Sequence, residues 1–139
     1  MNKRRPPSRP FVREHVTRGL PDDLMKFSFR LIQTTRKFNL AQAFDARRYL
    51  QHLLARLQAM SSLHVEEFRS SKGKALRAHR HLWEDTTEPQ GFPPLPSEWD
   101  GHEAWQFQLS ANQHGRIHGI LVDDVFYIVW LDPEHRLYQ

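Results

Sequence analysis

The sequence predicts an α+β fold with a first strand, a long helix and three antiparallel strands. Three features predict this class: an early stretch that alternates apolar and polar residues, a long amphipathic helix, and three short apolar segments separated by turns near the end of the chain. The 139 residues are enough for one domain with one modest core.

The composition excludes several kinds of site. The chain has no cysteine, which removes disulfides, thiolate nucleophiles and cysteine-based zinc sites. It has no apolar run long enough to predict a membrane span. The basic, proline-rich start MNKRRPPSRP lacks the apolar segment of a secretory signal, so we expect a soluble cytoplasmic protein.

The net charge of +4 conceals a strong asymmetry along the chain. Residues 1–82 hold 18 Lys and Arg against 6 Asp and Glu, whereas residues 83–139 hold 2 against 10. A basic first part predicts contact with a polyanion, although a solvated basic surface would have the same composition.

Residues 1–20 are predicted to form a basic flexible arm or a short helix, and residues 21–139 a single domain. Within this domain the alternation in 25–32, MKFSFRLI, predicts the first strand. A helix is predicted over Asn39–Met60, with Asn39 as its cap. The predicted apolar stripe of this helix consists of Phe44, Leu50, Leu53, Leu54, Leu57 and Met60.

The rest of the chain predicts an irregular middle and a three-stranded end. Residues 64–82 are interpreted as a strand, a loop and another strand, and the proline-rich residues 85–101 as an irregular insertion. Strands are then predicted at 103–111, at 116–122 and, after a tight turn, at 125–131. Because the last of these, VFYIVWL, is apolar almost throughout, we expect it to be buried on both faces.

This order of elements resembles the RelE/ParE toxin superfamily, and within it the RelE/YoeB-like ribosome-dependent mRNA interferases. Those toxins carry an Arg early in the penultimate strand, where this chain has Arg116, and end on a His-Tyr pair, for which His135 and Tyr138 are the nearest matches. The two residues between His135 and Tyr138 are a departure from the family, as are the insertion at 85–101 and the N-terminal arm.

The resemblance implies a RelE-like α+β fold, in which helices pack on one face of a small antiparallel sheet. It also implies the activity of a toxin in a toxin–antitoxin pair. Such a toxin is a metal-free endoribonuclease that needs no cofactor and cleaves mRNA on the ribosome. Its partners would be a cognate antitoxin protein, mRNA and the ribosome, with no membrane.

The predicted catalytic residues are Arg116, His118, His135 and Tyr138. A guanidinium grips two phosphate oxygens, and strand alternation places Arg116 on the same face as His118. His135 is the candidate general acid or base, and Tyr138 would stack on a base or donate a proton. The structural alternatives are an exposed Arg116, a tail closed by a bond between Asp132 and His135, and a Tyr138 that covers the core edge.

A second set of basic residues is predicted to bind RNA phosphates. If 76–83 forms a strand, its alternate residues share one face, which would suit a phosphate backbone. The predicted RNA-binding residues are Lys72, Lys74, Arg77, His79, Arg80, His81 and Arg136. A polar strand face without function is the alternative, and a zinc site built from His79, His81, His118 and Asp132 is a weaker one.

Two other functions remain open from the sequence. A ParE-like protein would inhibit DNA gyrase by binding alone, without chemistry. A basic nucleic-acid-binding module would use the arm MNKRRPPSRP as an electrostatic anchor. The nuclease hypothesis makes a geometric demand, since Arg116, His118 and His135 would have to meet basic residues from 64–82 on one surface.

Overall fold

The computed structural model describes residues 21–35, 37–70, 77–110 and 113–138. The predicted arm at 1–20 lies outside the described residues, as do Lys72 and Lys74. The strands and helices of the described residues, in chain order, are β1 (Lys26–Ser28), α1 (Ala46–Met60), α2 (Val65–Arg69), β2 (His79–Arg80), β3 (Glu103–Ser110), β4 (Gln113–Val122) and β5 (Val125–Asp132).

The five strands form one sheet in the order β1-β5-β4-β3-β2. Strands β3, β4 and β5 are an antiparallel meander, as predicted, and a turn at Asp123-Asp124 joins the last two. Strand β1 runs parallel to β5, with Lys26 opposite Val125, so the sheet is mixed and not wholly antiparallel. The α+β class is confirmed.

The edge strands are shorter than the sequence predicts. Strand β1 ends at Ser28, because a turn in which the Ile32 N–H donates to the Phe29 carbonyl at 3.2 Å takes the chain away from the sheet. Strand β2 contains only His79 and Arg80. The burial that the sequence predicts for β5 is confirmed, because most of its residues are buried.

Helix α1 begins later than predicted. The Asp45 carboxylate accepts the Arg48 N–H at 3.1 Å and caps the helix there, whereas Asn39 caps a separate 3₁₀ turn at Leu40–Gln42. Phe44, predicted as part of the apolar stripe, therefore lies before the helix and is fully exposed. The buried residues of α1 are Tyr49, Leu53, Leu57 and Met60.

Replacing Asp45 with alanine is expected to lower the free energy of unfolding by about 1 kcal/mol, because it removes the side-chain acceptor at the start of α1. Urea denaturation followed by circular dichroism measures this change. The exposed mid-helix substitution Gln51→Ala is the control, and it should leave the urea midpoint where it is. An equal loss in both variants would contradict a capping role.

The strand predicted at the start of 64–82 is wrong, since residues Val65–Arg69 form helix α2. Glu67 stabilises its first turn by accepting the His64 N–H at 2.9 Å. Five residues are too few to show a helical period in the sequence, which is why the pattern was ambiguous. No helix among the described residues combines the length and the apolar character needed to cross a membrane.

The sheet is covered on both faces. On the first face, Tyr49 and Leu53 of α1 and Phe68 of α2 pack in one core with residues of the meander such as Phe107 and Phe126. On the second face lies a smaller core that contains Phe38, Ile120, Val129, Trp130 and Leu137, with Trp83, Phe92 and Leu95 packed against it. Segment 85–101 contains no strand or α-helix, as expected, and it helps to cover this second face.

Candidate active site

A pocket of about 320 Å³ opens on the second face of the sheet. The segment at β2, strands β3 and β4, and the tail after β5 each contribute to its wall. Its lining residues are Arg77, His79, Gln106, Arg116, His135 and Tyr138, and we call it the basic pocket. The structure thus brings three of the predicted catalytic residues together with two of the predicted RNA-binding residues.

Two arginines define the charge of the basic pocket. Arg116 donates from Nη1 to the Gly115 carbonyl at 3.1 Å, and its Nε is buried with no hydrogen-bond partner in the described part of the chain. Burial lowers the pKa of Arg116, and the charge of Arg77 lowers it further. No carboxylate is among the described lining residues. The charge of Asp132 offsets part of this effect at Arg116. Two guanidinium groups held close favour the binding of an anion.

His79 and Gln106 form a bonded pair across β2 and β3. The Arg80 carbonyl lies 2.9 Å from His79 Nδ1 and can only accept, so Nδ1 carries the proton of the neutral ring. His79 Nε2 then accepts from the Gln106 amide nitrogen at 2.7 Å. The Gln106 carbonyl oxygen is buried and has no partner within the described residues.

The tail turn brings His135 to the pocket wall. Its backbone N–H donates to the Asp132 carbonyl at 3.1 Å, and its φ of 53° lies in the left-handed region. Its ring makes no hydrogen bond to another described residue. Burial lowers the pKa of His135, and the charge of Arg116 lowers it further. The ring is therefore neutral near pH 7 and has both nitrogens available to a ligand.

His118 lies beneath the basic pocket and does not line it, which corrects its prediction as a group that acts directly on substrate. It is fully buried, with Nε2 2.9 Å from Asp132 Oδ2 and Nδ1 3.1 Å from His81 Nε2. His81 Nδ1 lies 2.8 Å from the hydroxyl of Tyr138. Asp132, His118, His81 and Tyr138 thus form a continuous hydrogen-bonded series, which we call the buried chain.

The charges within the buried chain follow from burial. Burial lowers the pKa of His81 to about 2 and also lowers the pKa of His118, so both rings are neutral at neutral pH. Burial alone would raise the pKa of Asp132. Hydrogen bonds from His118 and from the N–H groups of Arg136 and Leu137 reverse that effect, and the pKa of Asp132 is lowered. Asp132 is therefore a carboxylate.

The other predicted RNA-binding residues lie away from the pocket wall. Arg80 is exposed in β2 opposite Trp105, and His81 is part of the buried chain. Arg136 forms an ion pair with Glu134 and lines a separate pocket of about 250 Å³. Lys37 and Glu88 pair with each other in that second pocket, so its charges offset one another.

The zinc alternative finds no support in this geometry. His118 and His81 bond to each other through ring nitrogens, and the second nitrogen of each is bonded to Asp132 or Tyr138. Across the described residues, His, Asp and Glu side chains do not form a group of three or more that could hold a metal ion.

Two residues of this region were not predicted for the roles they take. Gln106 is, with Gln108, one of two buried glutamines of β3, and a polar residue in a strand that is covered on both faces is a signal of a buried partner. The sequence suggests Asp132 only as a partner of the His135 side chain or as a zinc ligand. Its carboxylate instead accepts from His118 and from the tail backbone.

Comparisons with known proteins add no relative. No protein-family model matches the chain, and neither the curated proteins nor the solved structures contain a match. The resemblance to the RelE/ParE toxin superfamily therefore stays a prediction, and the chemistry available to the protein is that of the basic pocket and the buried chain.

Proposed function

We propose that this protein is a metal-free endoribonuclease that cleaves mRNA on the ribosome, as the toxin of a toxin–antitoxin pair. The observation that supports it most is the basic pocket, where Arg77 and Arg116 lie beside His135 and Tyr138 without a carboxylate in the described lining. Cleavage of a phosphodiester without a metal ion needs cations for the phosphate and groups that transfer protons.

The proposed reaction starts with attack of the 2′-oxygen on the adjacent phosphorus. The bond from phosphorus to the 5′-oxygen breaks, and the products are a 2′,3′-cyclic phosphate and a 5′-hydroxyl. Arg77 and Arg116 bind the non-bridging oxygens and stabilise the charge of the phosphorane. His135 and Tyr138 carry the two proton transfers. A bound phosphate raises the pKa of His135, because its negative charge offsets that of Arg116.

The proposal includes three partners. The ribosome orients the mRNA strand, and the two arginines of the basic pocket take the phosphate at the cleavage position. A cognate antitoxin protein blocks the pocket until it is removed. An activity on translating ribosomes would place the protein in the cytoplasm.

The substitution Arg116→Ala is expected to lower the rate of RNA cleavage about 100- to 1000-fold, because it removes a preorganised donor to the developing charge. His135→Ala should lower it about 100-fold or more by removing one proton transfer. The measurement uses ribosomes programmed with a defined mRNA, in the presence of EDTA, with both new RNA ends identified chemically.

Two exposed residues supply matched controls, Arg47→Ala on α1 and His102→Ala before β3, and both should cleave like the wild type. Intact mRNA with the wild-type protein would contradict the proposal. So would cleavage that stops in EDTA and leaves 5′-phosphates. Inhibition of gyrase supercoiling would favour the ParE-like alternative, and salt-sensitive RNA binding without cleavage would favour the binding module.

A further inference from the structure

We propose that Tyr138 is the base of this site, and that it passes its own proton through His81 and His118 to Asp132 as it takes one from the RNA. This inference rests on the proposed function and assigns the order of its two proton transfers. It makes Tyr138 a catalytic residue, because Tyr138 lines the basic pocket, and it makes His81, His118 and Asp132 positioning residues beneath it.

The carboxylate of Asp132 fixes the direction of every hydrogen bond in the buried chain. A carboxylate only accepts, so His118 donates from Nε2, and its Nδ1 must accept from His81 Nε2. His81 Nδ1 is then left as an acceptor, and the Tyr138 hydroxyl donates to it at 2.8 Å. All three protons therefore point toward Asp132.

The same direction determines what Tyr138 offers to a ligand. Its hydroxyl hydrogen is used by His81, and its oxygen accepts the Leu82 N–H at 3.2 Å. The oxygen keeps one further lone pair, on a side chain that lines the basic pocket. A 2′-hydroxyl in the pocket would therefore meet an acceptor, which is what a base must be.

Aromatic rings pack around the middle of the buried chain. The His81 ring stacks on Trp83 with centroids 4.6 Å apart and on Tyr138 at 5.7 Å, and it lies 5.0 Å from the His118 ring. Trp130 approaches His118 from the other side at 6.2 Å. This packing holds the rings in place, and their hydrogen bonds to one another select one tautomer of each.

The protons and electrons balance along this path. The Tyr138 oxygen takes the 2′-hydroxyl proton, while its own proton moves to His81 Nδ1. His81 passes its Nε2 proton to His118 Nδ1, and His118 passes its Nε2 proton to Asp132. The electron pair of the 2′-O–H bond forms the new bond to phosphorus, and the pair of the breaking bond leaves with the 5′-oxygen. His135, protonated beside the bound phosphate, supplies that oxygen with its proton.

Each imidazole of the chain ends neutral, in its other tautomer. Neither ring has to hold a positive charge, which burial strongly disfavours for His81. The negative charge lost at Asp132 reappears on the phosphorane between the two arginines. Return of the proton from Asp132 to Tyr138 and then to water resets the chain.

Nitrogen-15 NMR of the full-length protein tests the direction of the chain without any RNA. We expect His81 and His118 both to show a protonated Nε2 and an unprotonated Nδ1 near pH 7. The substitution Tyr138→Phe should shift the His81 and His118 signals, and Tyr127→Phe, which changes a tyrosine on β5 outside the chain, should not. A protonated Nδ1 on His81, or a positively charged ring, would overturn the inference.

Cleavage kinetics test the relay itself through His118→Gln. Glutamine retains a donor for Asp132 and an acceptor for His81, but it has no second tautomer through which a proton can pass. We expect the kcat of His118→Gln to fall about 100-fold with KM unchanged, and the kcat of Tyr138→Phe to fall by the same factor. In mixtures of light and heavy water, the wild-type rate plotted against the deuterium fraction should give a curve, because several protons move in one step. The rate of His118→Gln should give a straight line.

The outcomes separate this inference from the proposed function. Cleavage by His118→Gln at the wild-type rate would overturn the relay and leave the nuclease in place. Absence of cleavage by the wild type would overturn both. If His118→Gln does not fold, Tyr138→Phe decides, because it keeps every ring of the chain, and wild-type cleavage by this variant would likewise overturn the inference.

Discussion

Replacing Gly115 with alanine is expected to lower the free energy of unfolding by about 4 kcal/mol or more, among the largest losses that a single substitution causes. Gly115 has a φ of 76°, and a Cβ there would lie 1.9 Å from the Asp132 carbonyl oxygen and 2.6 Å from the backbone of Pro133. Backbone atoms cannot move aside as side chains do, so β4 and the tail would have to separate.

The control for this substitution is Gly101→Ala. Gly101 has a similar φ of 82°, but a Cβ there would meet nothing within 4 Å. The left-handed conformation alone should cost this variant about 1 kcal/mol. Chemical denaturation of both variants separates conformational cost from collision, and equal losses would show that the tail does not press on Gly115.

The same substitution should also disturb the basic pocket. The tail that packs closely against Gly115 contains His135 and Tyr138. The Gly115 carbonyl also accepts a hydrogen bond from Arg116. A sequence that brings chain segments this close at a functional region needs glycine at the contact.

Local signals predict the meander and the shared face of Arg116 and His118, and non-local packing decides the rest. Alternation and turn residues mark β3, β4 and β5, because each depends only on neighbours in the chain. What covers the second face depends on residues far away in sequence. Trp83 and Phe92 pack there, so His118 is buried beneath the pocket.

The start of α1 shows a second limit of sequence patterns. Phe44 fits the apolar period of the helix, but Asp45 caps the helix, so α1 begins at Ala46 and Phe44 lies outside it. Tyr49 is the first buried residue of α1. The buried chain shows a third. The direction of its hydrogen bonds depends on one carboxylate, Asp132, which the tail backbone holds in place. No spacing in the sequence reports such a bond.

Acidification is expected to destabilise the folded protein steeply, well before its surface carboxylates are protonated. The pKa values of His81 and His118 are lowered in the folded state, while in an unfolded chain histidine titrates near its reference value of about 6.5. The unfolded state therefore binds more protons at every pH below that value. The free energy of unfolding should fall by about 1.4 kcal/mol per pH unit for each ring.

His81 alone would remove about 2.5 kcal/mol between pH 6 and pH 4, because its folded pKa of about 2 lies below this range. His118 adds a loss in the same direction. The hydrogen bond and the charge of Asp132 oppose the shift at His118, while the charges of Arg116 and His79 add to burial, and the pKa of His118 is lowered on balance. The stability contributed by Asp132 is lost only at still lower pH. Urea denaturation at a series of pH values measures the slope. The substitution His118→Gln should reduce it by about half, because one of the two titrating rings is gone, whereas the exposed control His102→Gln should leave it unchanged. If the free energy of unfolding falls with the same slope against pH in wild type and His118→Gln, His118 takes up its proton in the folded state. Asp132 and His118 would then be an ion pair, and the hydrogen bonds of the buried chain would not all point one way.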